Sequence, residues 1–290
     1  RTSKNDFNHD WFLDNPLGKQ VNILNRWQYN NAEKGIISFL NIKYFKDALE
    51  NNWADEYITD GYVLYDQLLR IWALKSYNFF AKSAVLAKKI EDITHQIQSN
   101  FLPNSNEEKY HKKAYQELVF NKYLPCSFSP SGYKTQFDAF ANALVVLLKI
   151  GTKEIQNQIL EFSSNVASET KLGLVPAFWP PVFQDDEHWN LLKNNCKYEF
   201  RNFPYEFHNG GSWAMVNGFV GLAFLSENQT EQASTLLEKI NTANAIADYS
   251  FYENFNTNTQ EPNGVAYCAW SAAAFVLLEQ SLHHNFKLLF

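Results

Sequence analysis

Polar and apolar positions along this 290-residue chain recur at helical rather than strand spacing. Between residues 60 and 77, Val63, Leu64, Leu68, Ile71, Trp72 and Leu74 fall on roughly one face, the stripe with which an amphipathic helix meets a core. A second stretch, 79–101, continues with Ala84, Leu86, Ala87, Ile90, Ile93 and Ile97, so the two read as an antiparallel hairpin, followed by a polar loop at 103–108. Residues 136–150 are apolar on nearly every side, which suits a helix buried all round. Gly151-Thr152 breaks that run, and 153–166 follows as an amphipathic partner with Thr152 as its cap and Glu154 in its first turn. The alternation returns with 209–225 (apolar) and 230–243 (amphipathic), and 263–283 closes the chain as a last apolar helix. Alternating strand patterns bounded by tight turns are scarce.

The recurring unit is an apolar inner helix, a short turn and an amphipathic outer helix, with a repeat of pattern and none at residue level. Such pairs bury their inner helices in a common centre. The predicted fold is therefore all-α: an α/α toroid, barrel-like, with abbreviated early helices. Residues 1–50 are assigned to an N-terminal segment and 51–290 to the barrel domain. Three long stretches, 124–133, 172–207 and 248–263, precede inner helices and converge at one end of the ring. Loops of that length in a compact domain are usually functional.

Composition narrows the partners. An apolar fraction of 46% against 19% charged residues excludes a disordered chain. A net charge of −6 without a basic patch argues against a nucleic-acid partner. The longest apolar run, 266–278, is too short to span a bilayer and contains a serine, so no membrane partner is expected. Cys126, Cys196 and Cys268 show neither CxxC nor zinc-type spacing, which points away from a disulfide framework and toward a reducing, cytoplasmic compartment. The first residue is an arginine, which leaves room for a leader or a further N-terminal segment. Oligomeric state is not legible.

Candidate chemistry begins with two acids in similar aromatic frames. Asp60 lies in Tyr57-Ile58-Thr59-Asp60-Gly61-Tyr62, and Glu253 in Phe251-Tyr252-Glu253-Asn254-Phe255. Two separated carboxylates with ring faces nearby are what sugar hydrolysis needs: one protonates the leaving oxygen and the other activates water. Each has a plainer alternative, a helix-capping aspartate and a solvated loop glutamate. Asp66 is a weaker second acid. In His208-Asn209-Gly210-Gly211-Ser212-Trp213, the paired glycines allow a close backbone approach and His208 and Asn209 can bond sugar hydroxyls; the alternative is a helix start capped by Asn209. Trp179, in Phe178-Trp179-Pro180-Pro181, is expected to wall the substrate rim. Asp185, Asp186, Glu187 and His188 lack the spacing of an oxygen-ligand loop, so no metal is assigned.

These strings resemble the neutral/alkaline invertase family of glycoside hydrolases, with weaker likeness to trehalase, glucoamylase and processing α-glucosidases. Tyr205-Glu206-Phe207-His208-Asn209-Gly210-Gly211-Ser212-Trp213 is similar to the invertase Tyr-His-Asn-Gly-Gly-x-Trp-Pro stretch, with Ala214 at the proline. Thr59-Asp60-Gly61-Tyr62, running into Leu68-Leu69-Arg70, resembles the family's acid-bearing segment, with Tyr62-Val63 in place of its aromatic pair. Tyr252-Glu253-Asn254-Phe255, with Trp270 downstream, resembles the stretch of the second carboxylate, and Gln136-Phe137-Asp138-Ala139-Phe140-Ala141-Asn142 an inner-helix segment with a sugar-binding acid. The resemblance covers about residues 55–285 and implies an (α/α)6 barrel that cleaves a sucrose-like or α-glucosidic substrate with inversion. Asp60 is then the acid and Glu253 the base, about 6.5–9.5 Å apart. Asp138, Trp179, His208, Asn209, Gly210, Gly211, Trp213, Tyr62, Tyr267 and Trp270 are expected to hold the small carbohydrate, with no cofactor. Two rival expectations stand: a sugar epimerase or isomerase using His208 and a second histidine, and a degenerate barrel that binds a glycan or a protein.

Overall fold

The computed structural model describes residues 53–54, 56–103, 105–195 and 199–284, all within the compact unit Leu49–Phe290. The N-terminal segment 1–50 assigned from the sequence lies outside the described residues.

Helix α1 is Leu64–Ala81, and it buries Leu64, Tyr65, Leu68 and Ile71, the helical stripe of the sequence. Lys82 ends it in a left-handed conformation, and α2, Ala84–Phe101, starts at once under a Ser83 cap whose hydroxyl accepts the Leu86 N–H at 3.4 Å. A short helix α3, Lys112–Glu117, follows. Helix α4, Ala139–Leu147, is buried at every residue, and its partner α5, Lys153–Glu169, buries only Gln156, Ile159, Leu160, Ser163 and Val166. After a one-and-a-half-turn helix α6, Trp189–Asn194, the pattern repeats. The largely buried α7, Ala214–Ser226, is joined to the amphipathic α8, Thr230–Ile246, and α9, Ala269–His283, ends the described chain. Packing runs α1 to α4 to α7 to α9, with α2, α5 and α8 outside that arc.

The all-α expectation needs one correction. A four-stranded antiparallel sheet, in the order β1-β2-β3-β4, is built from Tyr62–Val63, Pro125–Ser129, Gly132–Asp138 and Phe178–Trp179. A two-stranded hairpin, β5 Asn254–Phe255 and β6 Pro262–Asn263, lies before α9. Residues 136–138, predicted helical, belong to β3. The switch falls at Asp138, whose backbone is extended and whose carboxylate accepts the Ala141 N–H at 2.9 Å, satisfying one of the helix's orphan donors. Residues 209–213 and 263–268 are likewise extended or turn segments, and their helices begin at Ala214 and Ala269.

Two buried asparagines tie the inner helices to the segments that lead into β2 and β4. Asn142 Nδ2 donates to Leu124 O (3.1 Å) and Asp138 O (2.9 Å), while its Oδ1 accepts from Leu124 N (2.9 Å). Asn217 does the same with Val175 and Trp213. At the opposite helix ends, Glu227 after α7 is held by Lys149 and Lys153 of the α4–α5 turn. Cys126 and Cys268 are buried free thiols; Cys196 lies outside the described residues. No described helix is long and apolar enough to cross a membrane.

Candidate active site

The N-terminal ends of the inner helices are joined by a continuous backbone ladder. It starts at β1 and passes through β2, β3 and β4. Beside β4, Pro176 bridges to Ser212, and Ala177 N donates to Gly211 O at 2.8 Å. Ser212 then exchanges two 2.9 Å bonds with Phe255 of β5. Asp60 stands two residues before the first strand of this ladder, and Glu253 one residue before β5. Asp138 ends its middle strand, and Trp213 follows directly on Ser212.

Asp60 is pinned by Gly61, which takes φ +73°, and a Cβ there would meet Phe128 O at 2.4 Å, so β1 fits against β2 only with glycine at this position. Burial pushes the Asp60 carboxyl above its ordinary pKa; Lys134, the Ser129 hydroxyl and His188 pull the other way without cancelling it. Its Oδ1 is buried and has no hydrogen-bond partner among the described residues, and the same holds for Tyr57 Oη, Gln136 Oε1 and Asn254 Nδ2. Buried polar atoms of this kind are costly unless something hydrogen-bonds them, and donors and acceptors are both represented, as a polyhydroxylated ligand requires.

An aromatic wall stands next to this edge. Trp53 stacks on Phe178 (ring centroids 5.5 Å, 12°) and meets His208 and Trp213 edge-on at 5.2 and 6.1 Å. His208 and Trp213 stack on each other at 4.8 Å. The Trp53 Nε1–H donates to Asp138 Oδ2 at 3.3 Å. Asp138 is fully buried, and desolvation pushes it up to about 7, against the hydrogen bonds from Ala141 and Trp53. Asp66, on α1, is raised by burial to about 7 as well, and its charge adds to the rise at Asp138.

Glu253 is built differently. Its backbone N–H donates to Val265 O at 2.9 Å, and its Oε2 accepts the Val265 N–H at 3.4 Å. The side chain lies over Gly264 (φ +77°), where a Cβ would meet Oε2 at 2.3 Å. Around it, Asp248, Tyr249, Phe251 and Tyr267 take positive φ, as do Tyr205 and Phe207 across the ladder. Such strain in non-glycine residues collects where surroundings over-determine the backbone, commonly at binding sites.

The remaining sequence candidates divide. Asp138, His208 and Trp213 come together around Trp53. Trp179, half-buried in β4, faces Tyr205 at 6.4 Å. Asn209 has a structural task instead of a free amide: Nδ2 donates to Val182 O and Asn202 O, and Oδ1 accepts from Val182 N at 2.7 Å. Gly210 and Gly211 pack against Pro181, Phe207 and Asn254, so protein rather than ligand occupies their open sides. Tyr62 stacks with Tyr110 and Phe128, as part of the sheet's own aromatic packing. Tyr267 is 82% and Trp270 45% exposed, which sets both apart from the buried cluster. Trp53 and Gln136 were not singled out from the sequence, and Tyr57 only as an aromatic neighbour of Asp60. Trp53 and Tyr57 form an aromatic i,i+4 pair just ahead of Asp60, the one signal that could have found them. Among the described residues, no three His, Cys, Asp or Glu side chains gather as a metal-holding group.

Solved structures with this architecture include the GH63 mannosylglycerate hydrolase from Thermus thermophilus. In its complexes with Tris and with glucose it gives TM-scores of 0.51 at 13% identity, over 75% of this chain and 45% and 44% of the hydrolase. Among curated proteins, the neutral/alkaline invertase 3, chloroplastic, of Oryza sativa subsp. japonica is 20% identical over 161 residues, 55% of this chain and 26% of the rice protein. The chain thus spans about a quarter of that invertase and under half of the hydrolase. The model for alkaline and neutral invertases matches residues 81–285, a span that includes Asp138, the 205–213 stretch and Glu253 and starts after Asp60. With most of its length matched, the chain belongs to the alkaline and neutral invertase family.

Proposed function

We propose that the protein hydrolyses a small α-glucosidic or sucrose-like substrate with inversion, Asp60 serving as general acid and Glu253 as general base. The helical hairpins are then part of an (α/α)6 barrel, and the ladder edge is its mouth. One observation carries the reading: the two acids flank a single ladder in contrasting environments. Asp60 is desolvated, with an unpartnered oxygen, as a carboxyl that must keep its proton requires. Glu253 is set over Gly264 and accepts the Val265 N–H, at the far end of the same ladder. The Asp60 proton passes to the glycosidic oxygen as the bond to the anomeric carbon breaks. Water attacks that carbon from the opposite face and gives a proton to Glu253, so one glycoside and one water become a free sugar, a hemiacetal at its anomeric carbon, and the protonated leaving group. Asp138, His208, Trp53 and Trp213 hold the sugar ring. The family match and a solved neighbour that binds glucose support a carbohydrate ligand.

The test is turnover of sucrose, maltose and trehalose by the purified chain beside Asp60→Asn and Glu253→Gln. Each substitution should lower kcat by roughly 10²–10⁴-fold, the contribution of a general acid or base, with little change in melting temperature. NMR of the first-formed sugar anomer reads the stereochemistry. Wild-type turnover in either variant, or retention of configuration, defeats the mechanism.

A further inference from the structure

We propose that Trp53 is the residue on which the sugar ring stacks, and that Asp138 acts on the sugar only through it, as a positioning residue that sets the indole by its Nε1–H. This rests on the reading of the site as one for a carbohydrate.

The surroundings of Trp53 come from four parts of the chain. Asp138 ends β3 and Phe178 opens β4, and the two are paired in register. Tyr65 lies in the first turn of α1 and Phe140 in that of α4, and His208 and Trp213 belong to the stretch before α7. All six neighbours are buried, from 0% exposure at Asp138 and Phe178 to 9% at Tyr65. Trp53 itself is only half-buried. A ligand that reaches this cluster therefore meets the indole first, and a flat apolar ring is the surface that the C–H face of a pyranose can cover.

Asp138 is placed to serve the indole and not the ligand. Its Oδ1 accepts the Ala141 N–H at 2.9 Å and its Oδ2 the Trp53 Nε1–H at 3.3 Å, so each oxygen already has a donor from the chain. With no exposed surface, the carboxyl is out of reach of a sugar hydroxyl. Indole has a single N–H donor, and one acceptor there fixes the rotation of the ring. Phe178 lies parallel to the indole at 5.5 Å and 12°, while Phe140, His208 and Trp213 stand across it at 72°, 84° and 85°.

The turn that delivers Trp53 is tied as well. Tyr57 N donates to Ala54 O at 3.2 Å, and the Tyr57 ring lies on Phe178 at 4.1 Å, so both aromatic residues of the turn pack on the same β4 side chain. From outside, Asn202 Nδ2 donates to Glu56 O at 3.2 Å and Asn195 Nδ2 to Tyr57 O at 3.0 Å. Asn202 Oδ1 accepts the His208 N–H at 3.0 Å and so joins the turn to the opposite wall. An indole held at its N–H, its ring and its backbone is preorganised, and binding does not have to order it.

Calorimetry with glucose and maltose, and NMR of protein labelled at the indole nitrogens, test this without turnover. Trp53→Ala should weaken sugar binding by about tenfold or more. Trp53→Phe, which keeps a ring and removes the N–H, and Asp138→Asn should each weaken it by about three- to tenfold. The double variant should lose no more than either single one, because both break the same bond. Losses that multiply mean that Asp138 acts on the sugar by another route and overturn the positioning role. The Trp53 N–H signal, identified by its absence in Trp53→Phe, should move when glucose is added; a signal indifferent to a bound sugar overturns the platform. If Asp138→Asn does not fold, the Trp53 variants and that signal decide. In turnover, Trp53→Phe should raise KM and leave kcat within about twofold, as loss of uniform binding does. Sugar binding without cleavage of any glycoside upholds the platform and defeats the hydrolytic reading. Cleavage with KM unchanged in both Trp53 variants does the reverse, and no binding of either sugar to the wild type removes the platform.

Discussion

The α4–α5 and α7–α8 hairpins are the same device carrying different cargo. Asp138-Ala139-Phe140-Ala141-Asn142 and Trp213-Ala214-Met215-Val216-Asn217 occupy equivalent places, with alanine one residue after the cap and asparagine four after it. Each asparagine exchanges two hydrogen bonds with one residue ahead of a strand, Leu124 before β2 or Val175 before β4, and donates a third bond back to the cap carbonyl at 2.9 Å. Only the cap side chains differ. Asp138 caps its own helix and receives Trp53; Trp213 caps nothing and donates to Phe207 O at 3.0 Å. The frame is thus repeated where the ladder needs anchoring, and the cap position, which meets Trp53 in both copies, is free to hold a carboxylate in one and an indole in the other.

The largest effect that should separate the two copies is pH dependence. Asp138 has a native pKa of about 7 and an ordinary unfolded one near about 3.9. Between those values the native state keeps a proton that the unfolded chain has lost. The stability contribution is therefore complete below about pH 4 and is lost as pH rises through about 7, at up to about 1.4 kcal/mol per pH unit. Asp66, also near 7, adds a slope of the same sign. Urea unfolding at several pH values from about 4.5 to about 7.5, which bracket that window, should show stability falling. Asp138→Asn should remove roughly one proton's worth of slope, and Trp213→Phe none. An unchanged slope in Asp138→Asn would mean that Asp138 is ionised throughout, and the contrast between the caps would lose its electrostatic half.

A middle-sized effect tests the shared half. Asn142→Ala strands the buried N–H and C=O of Leu124, and Asn217→Ala strands those of Val175. Leaving buried backbone groups unpaired should cost about 2–4 kcal/mol in each case. The two losses in urea midpoint should agree to within about 1 kcal/mol. A large inequality would show that the two clasps only look alike.

What the sequence disclosed follows the length over which each signal runs. Helical patterning extends across 15 or more residues in α1, α2, α5, α8 and α9, and those helices exist where it predicts them, though α1 starts four residues and α9 six residues later than expected. Strands β1, β4, β5 and β6 are two residues long, too short for any alternation, and β2 and β3 carry proline, serine, lysine and threonine in no regular order. The hairpin repeat was legible as pattern, but the residue-level repeat behind it, absent from the sequence reading, rests on only two fixed positions. The acids could be singled out by their aromatic frames. Gln136 could not, since nothing in its local sequence marks it and only the pairing of β3 fixes where it lies. Tyr267 and Trp270 stand exposed, apart from the buried aromatic cluster, because aromatic content alone does not say where a ring lies. Asn209 shows a similar limit: its amide suits a sugar, but folding assigns all its donors to Val182 and Asn202.

The smallest predicted difference lies in the outer helices. Helix α5 has the cap expected from the sequence: Thr152, extended at φ −84° and ψ 161°, accepts the Ile155 N–H at 3.3 Å. Its counterpart α8 starts at Gln229, whose backbone is not in the extended cap conformation and whose side chain makes no cap bond. Thr152→Ala should therefore cost about 0.5–1 kcal/mol, and Gln229→Ala less than about 0.5 kcal/mol, both read as shifts in urea midpoint at constant m. The reason lies in where each turn is already held. Lys149 and Lys153 fasten the α4–α5 turn to Glu227, at the end of α7, so the α7–α8 turn is restrained from outside itself, and α8 starts without a side-chain cap. If Gln229→Ala costs as much as Thr152→Ala, that restraint does not substitute for a cap, and the two hairpins differ less than their first turns suggest.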